Sequence, residues 1–202
     1  MIRRLLQTVA AVSLVFAGSA QATVITEQGD TGQSIATADI LYGGTTGVNG
    51  WLANCCADLW GFGWSGGDLT IDTAGSSFDT QLFLFDANGM GLFANDDGLP
   101  GFRSRMDLLG LAAGNYFIGI SGYDLDPVSA GGFIFPNTFT GVVGATGPGG
   151  AYALSDWQRR NSGRSNGSYR LNFSSATTAV PAPATLALLG LGLLGLGAAR
   201  RR

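Results

Sequence analysis

The chain has 202 residues and a formal charge of −3, with no His and no Lys. Those two absences exclude Ser-His-Asp and Cys-His catalysis, His-ligated zinc and lysine Schiff-base chemistry together. Its 33 glycines, and an acid set that is Asp throughout except for Glu27, favour turns and loops and point to a mainly β protein.

The N-terminus opens with Arg3 and Arg4, runs through an apolar stretch at residues 9–17 and ends Ser19-Ala20-Gln21-Ala22. A positive start, a short apolar stretch and an Ala-x-Ala ending make residues 1–22 a secretory signal peptide, cut after Ala22. A membrane-anchored N-terminus is the competing reading and fits the short apolar stretch less well. Five of the 11 basic residues (Arg3, Arg4, Arg200, Arg201 and Arg202) lie at the two ends, and all 14 acids lie between them. The body therefore sets six arginines against 14 acids, a charge near −8. That balance argues against nucleic acid and anionic headgroups as partners and is compatible with cation binding. About 155 residues remain between the ends, enough for one domain with its own core.

Residues 23–66 read as irregular, with one short strand at 24–26. Trp51 and the run Trp60-Gly61-Phe62-Gly63-Trp64 set aromatics among glycines. Trp51, Trp60 and Trp64 either form a stacking surface for sugars or cover one end of a β-sandwich. Between them lie Cys55 and Cys56. In an oxidising compartment these neighbours form a vicinal disulfide, bridge to other chains, or stay buried as thiols.

Clear β patterning begins at Asp68, where Leu69 and Ile71 alternate with polar residues. Residues 79–86 read as an inner strand, apolar on both faces at its centre. Asn88-Gly89 is a two-residue turn signal and Leu92-Phe93 starts the return strand, giving a hairpin. Further strands are predicted over 103–109, 116–121 and 169–173. Residues 124–167 are rich in Gly, Ser, Pro and Asn, and a stretch that long is either an inserted flap or holds strands that the pattern does not reveal. The expected fold is an all-β antiparallel β-sandwich of jelly-roll type over residues 23–174, with 124–167 as an insertion and 175–179 as a linker of small residues.

Asp79-Thr80-x-Leu-Phe-Leu-Phe-Asp86-x-Asn-Gly, then Asn95-Asp96-Asp97, then Leu111-Ala-Ala-Gly114-Asn-Tyr116-Phe-Ile-Gly-Ile120-Ser resembles the bacterial pre-peptidase C-terminal (PPC) domain. The resemblance implies a secreted, non-catalytic β-sandwich module; here no peptidase precedes it and the insertion departs from the compact pattern. Asp79, Asp86, Asn95, Asp96 and Asp97 are the candidate metal ligands. Hard oxygens from loop Asp and Asn suit Ca²⁺, and the resemblance implies the same ion. The bland alternative makes Asp86 a turn starter and Asp96-Asp97-Gly98 a solvated loop.

The C-terminus has three parts in order: Val180-Pro181-Ala182-Pro183, an uncharged apolar run at 186–199, and Arg200-Arg201-Arg202. The run is about 14 residues, shorter than the ~20 that span a bilayer comfortably, and the arginines act as a stop on the cytoplasmic side. This tail, residues 180–202, resembles the PEP-CTERM sorting signal of Gram-negative bacteria, with Ala182 where the family name has Glu. The resemblance implies a C-terminal hydrophobic helix in the inner membrane and processing by an exosortase-like membrane transpeptidase. An unprocessed single-pass anchor is the alternative.

The functional expectation is an exported, non-catalytic protein of the cell surface or extracellular matrix, structural or adhesive in a biofilm or exopolysaccharide. A carbohydrate-binding module using Trp51, Trp60 and Trp64, with extracellular polysaccharide as partner, is the rival. A carboxylate hydrolase ranks third, because glycoside hydrolysis needs two acids at a set separation in a cleft and nothing marks out Asp68/Asp72 or Asp96/Asp97.

Overall fold

The computed structural model describes residues 22–137, 141–162 and 165–180. Within them the chain forms fourteen β-strands, numbered here in chain order, and no helix. The expected signal peptide, most of the sorting tail and its hydrophobic helix lie outside the described residues. The all-β reading holds. The antiparallel one holds only in part, because two pairings are parallel: β1 (Thr23–Thr26) beside β3 (Thr45–Leu52), and β2 (Asp39–Ile40) beside β4 (Ala57–Trp64).

Three sheets are present where two were expected. The first has the order β1-β3-β14-β5-β8, with β14 at Gly167–Phe173, β5 at Gly67–Asp72 and β8 at Arg105–Leu111. The second is β12-β7-β6-β9-β4-β2, with β12 at Val143–Gly144, β7 at Gly91–Asn95, β6 at Thr80–Asp86 and β9 at Gly114–Gly122. The third is β11-β10-β13, made of Gly132–Phe133, Leu125–Ser129 and Asp156–Arg159.

Two apolar clusters show how the sheets stack. One joins Trp60, Phe62, Leu82, Leu84, Ile118 and Ile120 of the second sheet to Val48, Ile71, Met106, Tyr169 and Leu171 of the first. The other joins Leu59, Phe83, Phe85 and Ala94 of the second sheet to Leu125 and Trp157 of the third, and to Ile134 and Phe135 just beyond β11. Successive strand residues point to opposite faces, so Leu82 and Leu84 serve one core while Phe83 and Phe85 serve the other. All four are completely buried. The unbroken apolar run of β6 follows from its place in a middle layer.

Of the two readings of residues 124–167, the one with unrevealed strands is what the structure shows: β10, β11 and β13 make a packed third layer and β12 joins the second sheet. Trp157 rests edge-on against Phe83, with centroids 5.5 Å apart, and its indole N–H donates to the Gln33 carbonyl at 2.7 Å. Gly119 leaves the space for it: a Cβ there would lie 2.8 Å from the Trp157 ring. Arg160 pairs with the buried Asp126, donates to the Phe135 carbonyl at 2.8 Å and lies 3.8 Å from the centre of the Phe133 ring.

The N-terminal stretch expected to be irregular holds four strands. β4 is buried along its whole length, and its Gly61 and Gly63 admit Ile40 and Thr178, whose atoms lie 2.5 Å from where each Cβ would stand. The small residues expected as a linker to the tail are hydrogen-bonded to the body. Gly44 N donates to Thr177 O at 2.8 Å, Thr177 N to Thr45 O at 2.9 Å and Thr178 N to Gly63 O at 2.8 Å.

Candidate functional site

The β6–β7 hairpin decides which of the predicted metal ligands meet. Asp86 stands at its closed end, where Oδ1 accepts from the N–H groups of Asn88 at 2.8 Å and Met90 at 2.9 Å. That holds the turn, in which Gly89 has φ of 80°. Asp79 precedes β6 and Asp96 and Asp97 follow β7, so antiparallel pairing brings these three to the open end. At ~3.4 Å per residue the two ends of β6 are roughly 20 Å apart, and Asp86 is removed from the ligand set. Asn95, the last residue of β7, is engaged in the fold. It is fully buried, and its side-chain oxygen accepts from Arg105 N at 2.7 Å, which ties β7 to β8.

One carboxylate oxygen from each of Asp79, Asp96 and Asp97 falls within a 4.8 Å cluster. One oxygen of Asp79 and one of Asp96 are buried without a hydrogen-bond partner. Burial, then the charges of Asp97 and Asp124, raises the Asp79 carboxyl to about 6. Burial, then Asp97, Asp79, Asp126 and Asp124, raises Asp96 to about 7. Such a hole of unneutralised oxygens can take up a proton or a hard cation.

A second cluster was not anticipated. Glu27 follows β1, Asp30 lies in the next loop and Asp58 is the second residue of β4, and oxygens of the three also group within 4.8 Å. Glu27 orders the loop: Oε1 accepts from Thr31 N and Oε2 from Trp51 N, both at 2.9 Å. Asp58 is completely buried and neither of its oxygens has a hydrogen-bond partner. Burial raises its carboxyl to about 8; the Tyr169 hydroxyl favours the charged form without reaching hydrogen-bond geometry, and Glu27 and Asp30 oppose it. That hydroxyl itself accepts from Trp60 Nε1 at 2.9 Å. Asp58 was legible as a lone acid in the run Ala57-Asp58-Leu59-Trp60; its partners, 28 and more positions away in the chain, were not.

The three tryptophans do not share a surface. Trp60 and Trp64 are 3% and 6% exposed, whereas Trp51 is 61% exposed. Residues 60, 62 and 64 sit on one face of a strand, and that face is the larger core. The sugar-stacking expectation is corrected for Trp60 and Trp64, and Trp51 alone stands at the surface. Cys55 and Cys56 are bridged to each other in the turn between β3 and β4.

No curated protein matches the chain. Among solved structures, the pre-peptidase C-terminal domain of a Bacillus anthracis collagenase is similar at 12% identity and a TM-score of 0.36, covering 68% of this chain and 94% of that one. The Aeromonas hydrophila periplasmic inhibitor of g-type lysozyme, PliG, is similar at 12% identity and a TM-score of 0.31, covering 76% and 98%. Of the predicted sorting residues only Val180 is described; it lines a cleft with Ala179, Tyr42 and Trp60. Residues 179–202 match the PEP-CTERM protein-sorting motif, so this all-β body carries at its C-terminus a signal for export and for recognition by an exosortase.

Proposed function

We propose that the protein is a non-catalytic component of the cell surface or extracellular matrix, delivered there by exosortase processing of its tail. The observation that carries this is the sorting motif at 179–202. The tail passes through the inner membrane as an intermediate, and after processing the body is displayed at the surface or released into exopolysaccharide, where it acts structurally or adhesively. Support comes from the body's charge near −8, from its lack of His and Lys and from a fold committed to packing, in which the aromatics of β4 fill cores.

The test is mass spectrometry of the protein from cells and from medium, with and without the exosortase. A mature form that starts at Thr23 and ends near Pro183, absent from exosortase-deficient cells, is expected. A chain still ending at Arg202 in every fraction would refute processing. A second test addresses catalysis: incubation with released biofilm polysaccharide should give no new reducing ends, and clear turnover would overturn the non-catalytic reading.

The cation reading of the hairpin cluster narrows to Asp79, Asp96 and Asp97. What favours it is that Asp79 and Asp96, two members of the cluster, each bury one oxygen without a hydrogen-bond partner.

A further inference from the structure

We propose that Glu27, Asp30 and Asp58 form a divalent-cation site, suited to Ca²⁺, which clamps the N-terminal strand to β4. Two independent features carry this. The first is convergence: three carboxylates from β1's end, the following loop and a central strand place oxygens within 4.8 Å of one another. The second is Asp58 itself, fully buried and with both oxygens unpartnered. A charge buried without a partner is costly, and the groups facing it include two further acids and no basic residue. A cation would supply the missing partner.

The donor set selects the ion. All three ligands are hard oxygens, which suit Ca²⁺ or Mg²⁺ over soft metals. They come from a strand end, a loop and a strand centre, an irregular arrangement that the 6–8 coordination of Ca²⁺ tolerates and the octahedral demand of Mg²⁺ does not. The two backbone hydrogen bonds of Glu27 do not compete, since each carboxylate oxygen keeps a further lone pair. Glu27 also lines a surface cleft of about 350 Å³, together with Thr26, Gly29, Asn49, Gly50 and Trp51. Gly50 keeps the space open: a Cβ there would fall 2.6 Å from Glu27 Oε2 and within 2.3 Å of the Tyr169 hydroxyl.

The location gives the site a consequence. Thr23 N donates to Gly44 O, and Gly44 N donates to Thr177 O, so the first strand and the start of the tail share one anchor. A second cleft, of about 620 Å³, runs from Ile25 to Gln28 on one side to Ala179 and Val180 on the other. Cation binding at Glu27 therefore orders one wall of the cleft whose other wall carries the first residues of the sorting motif.

The test uses the purified full chain with Tb³⁺ as a luminescent probe, excited through tryptophan. Trp51 and Trp60 adjoin this cluster: Trp51 N bonds Glu27, and Trp60 bonds the Tyr169 hydroxyl that faces Asp58. Expected is sensitised emission that Ca²⁺ displaces, lost in Asp58→Asn, weakened at least tenfold in affinity in Asp30→Ala and retained in Asp97→Ala. Asp30 is an exposed loop residue, so its replacement leaves the fold unaffected. Saturating Ca²⁺ should also raise the melting temperature by roughly 5 °C over chelator in the wild type, and by less in Asp30→Ala. No emission, emission unchanged in Asp30→Ala, or emission lost only in Asp97→Ala would overturn the assignment. None of these outcomes depends on whether the tail is processed.

Discussion

Trp157→Ala tests whether the third layer belongs to the cooperative core. Trp157 is 7% exposed, it contacts Phe83 and Phe85 edge-on, and it occupies the gap over Gly119. An aromatic of this size buries about 200 Å², which at ~25 cal/mol/Å² is about 5 kcal/mol of transfer free energy. Large-to-small aromatic replacements in cores cost about 3–5 kcal/mol, and the lost bond to Gln33 O adds about 1 kcal/mol. The expected loss is therefore about 5 kcal/mol, a fall in melting temperature of roughly 15 °C for a body of this size. Urea unfolding followed by far-ultraviolet circular dichroism and by fluorescence of the remaining tryptophans measures it. Both probes should shift together, because residues of the second sheet line both cores. A loss under about 1 kcal/mol, or a third-layer transition separate from that of the other two sheets, would refute the three-layer account.

Arg160→Ala leaves Asp126, 2% exposed, without its ion-pair partner and should cost about 3 kcal/mol in urea melts; a change within about 0.5 kcal/mol would show that the pair is dispensable. Asp58 has a folded-state pKa of about 8, above its ordinary 3.8, so its protonated form stabilises the fold at low pH and that contribution is lost as pH rises through 8. In chelator, the wild type should lose about 3 kcal/mol between pH 5 and pH 8 from this group, while Asp58→Asn does not. Melting curves of the two proteins should diverge as pH rises, and parallel curves would contradict the burial argument. Replacing Cys55 and Cys56 with Ser removes a bridge that closes almost no loop, so stability should fall by about 1 kcal/mol or less; a collapse of the fold on reduction would show that the turn depends on it.

Local pattern was enough wherever the physics was local. The alternation at residues 68–72 and 169–173 and the Asn88-Gly89 turn located β5, β14 and the β6–β7 hairpin, because strand period and turn chemistry act over a few neighbours. The lack of His and Lys ruled out several catalytic classes, and the order of proline motif, apolar run and arginines was enough to mark the tail as a sorting signal. The candidate sites were less legible. Asp79 and Asp96–Asp97 were found as acids, but only hairpin pairing shows that they meet while Asp86 is held at the other end. Asn95 ties β7 to β8 through the backbone N–H of Arg105, a task that its place in the chain does not reveal.

What the sequence by itself determined is the strand class of this protein, its central hairpin, its acidity and its sorting address. Tertiary structure alone decided that residues 124–167 build a third layer, that Trp60 and Trp64 point inward, and that Glu27, Asp30 and Asp58 converge. The reason is the same in each case. Burial and charge pairing depend on segments brought together over long stretches of chain, as when Trp157 closes over Gly119 and Glu27 reaches Asp58. No local period encodes those meetings.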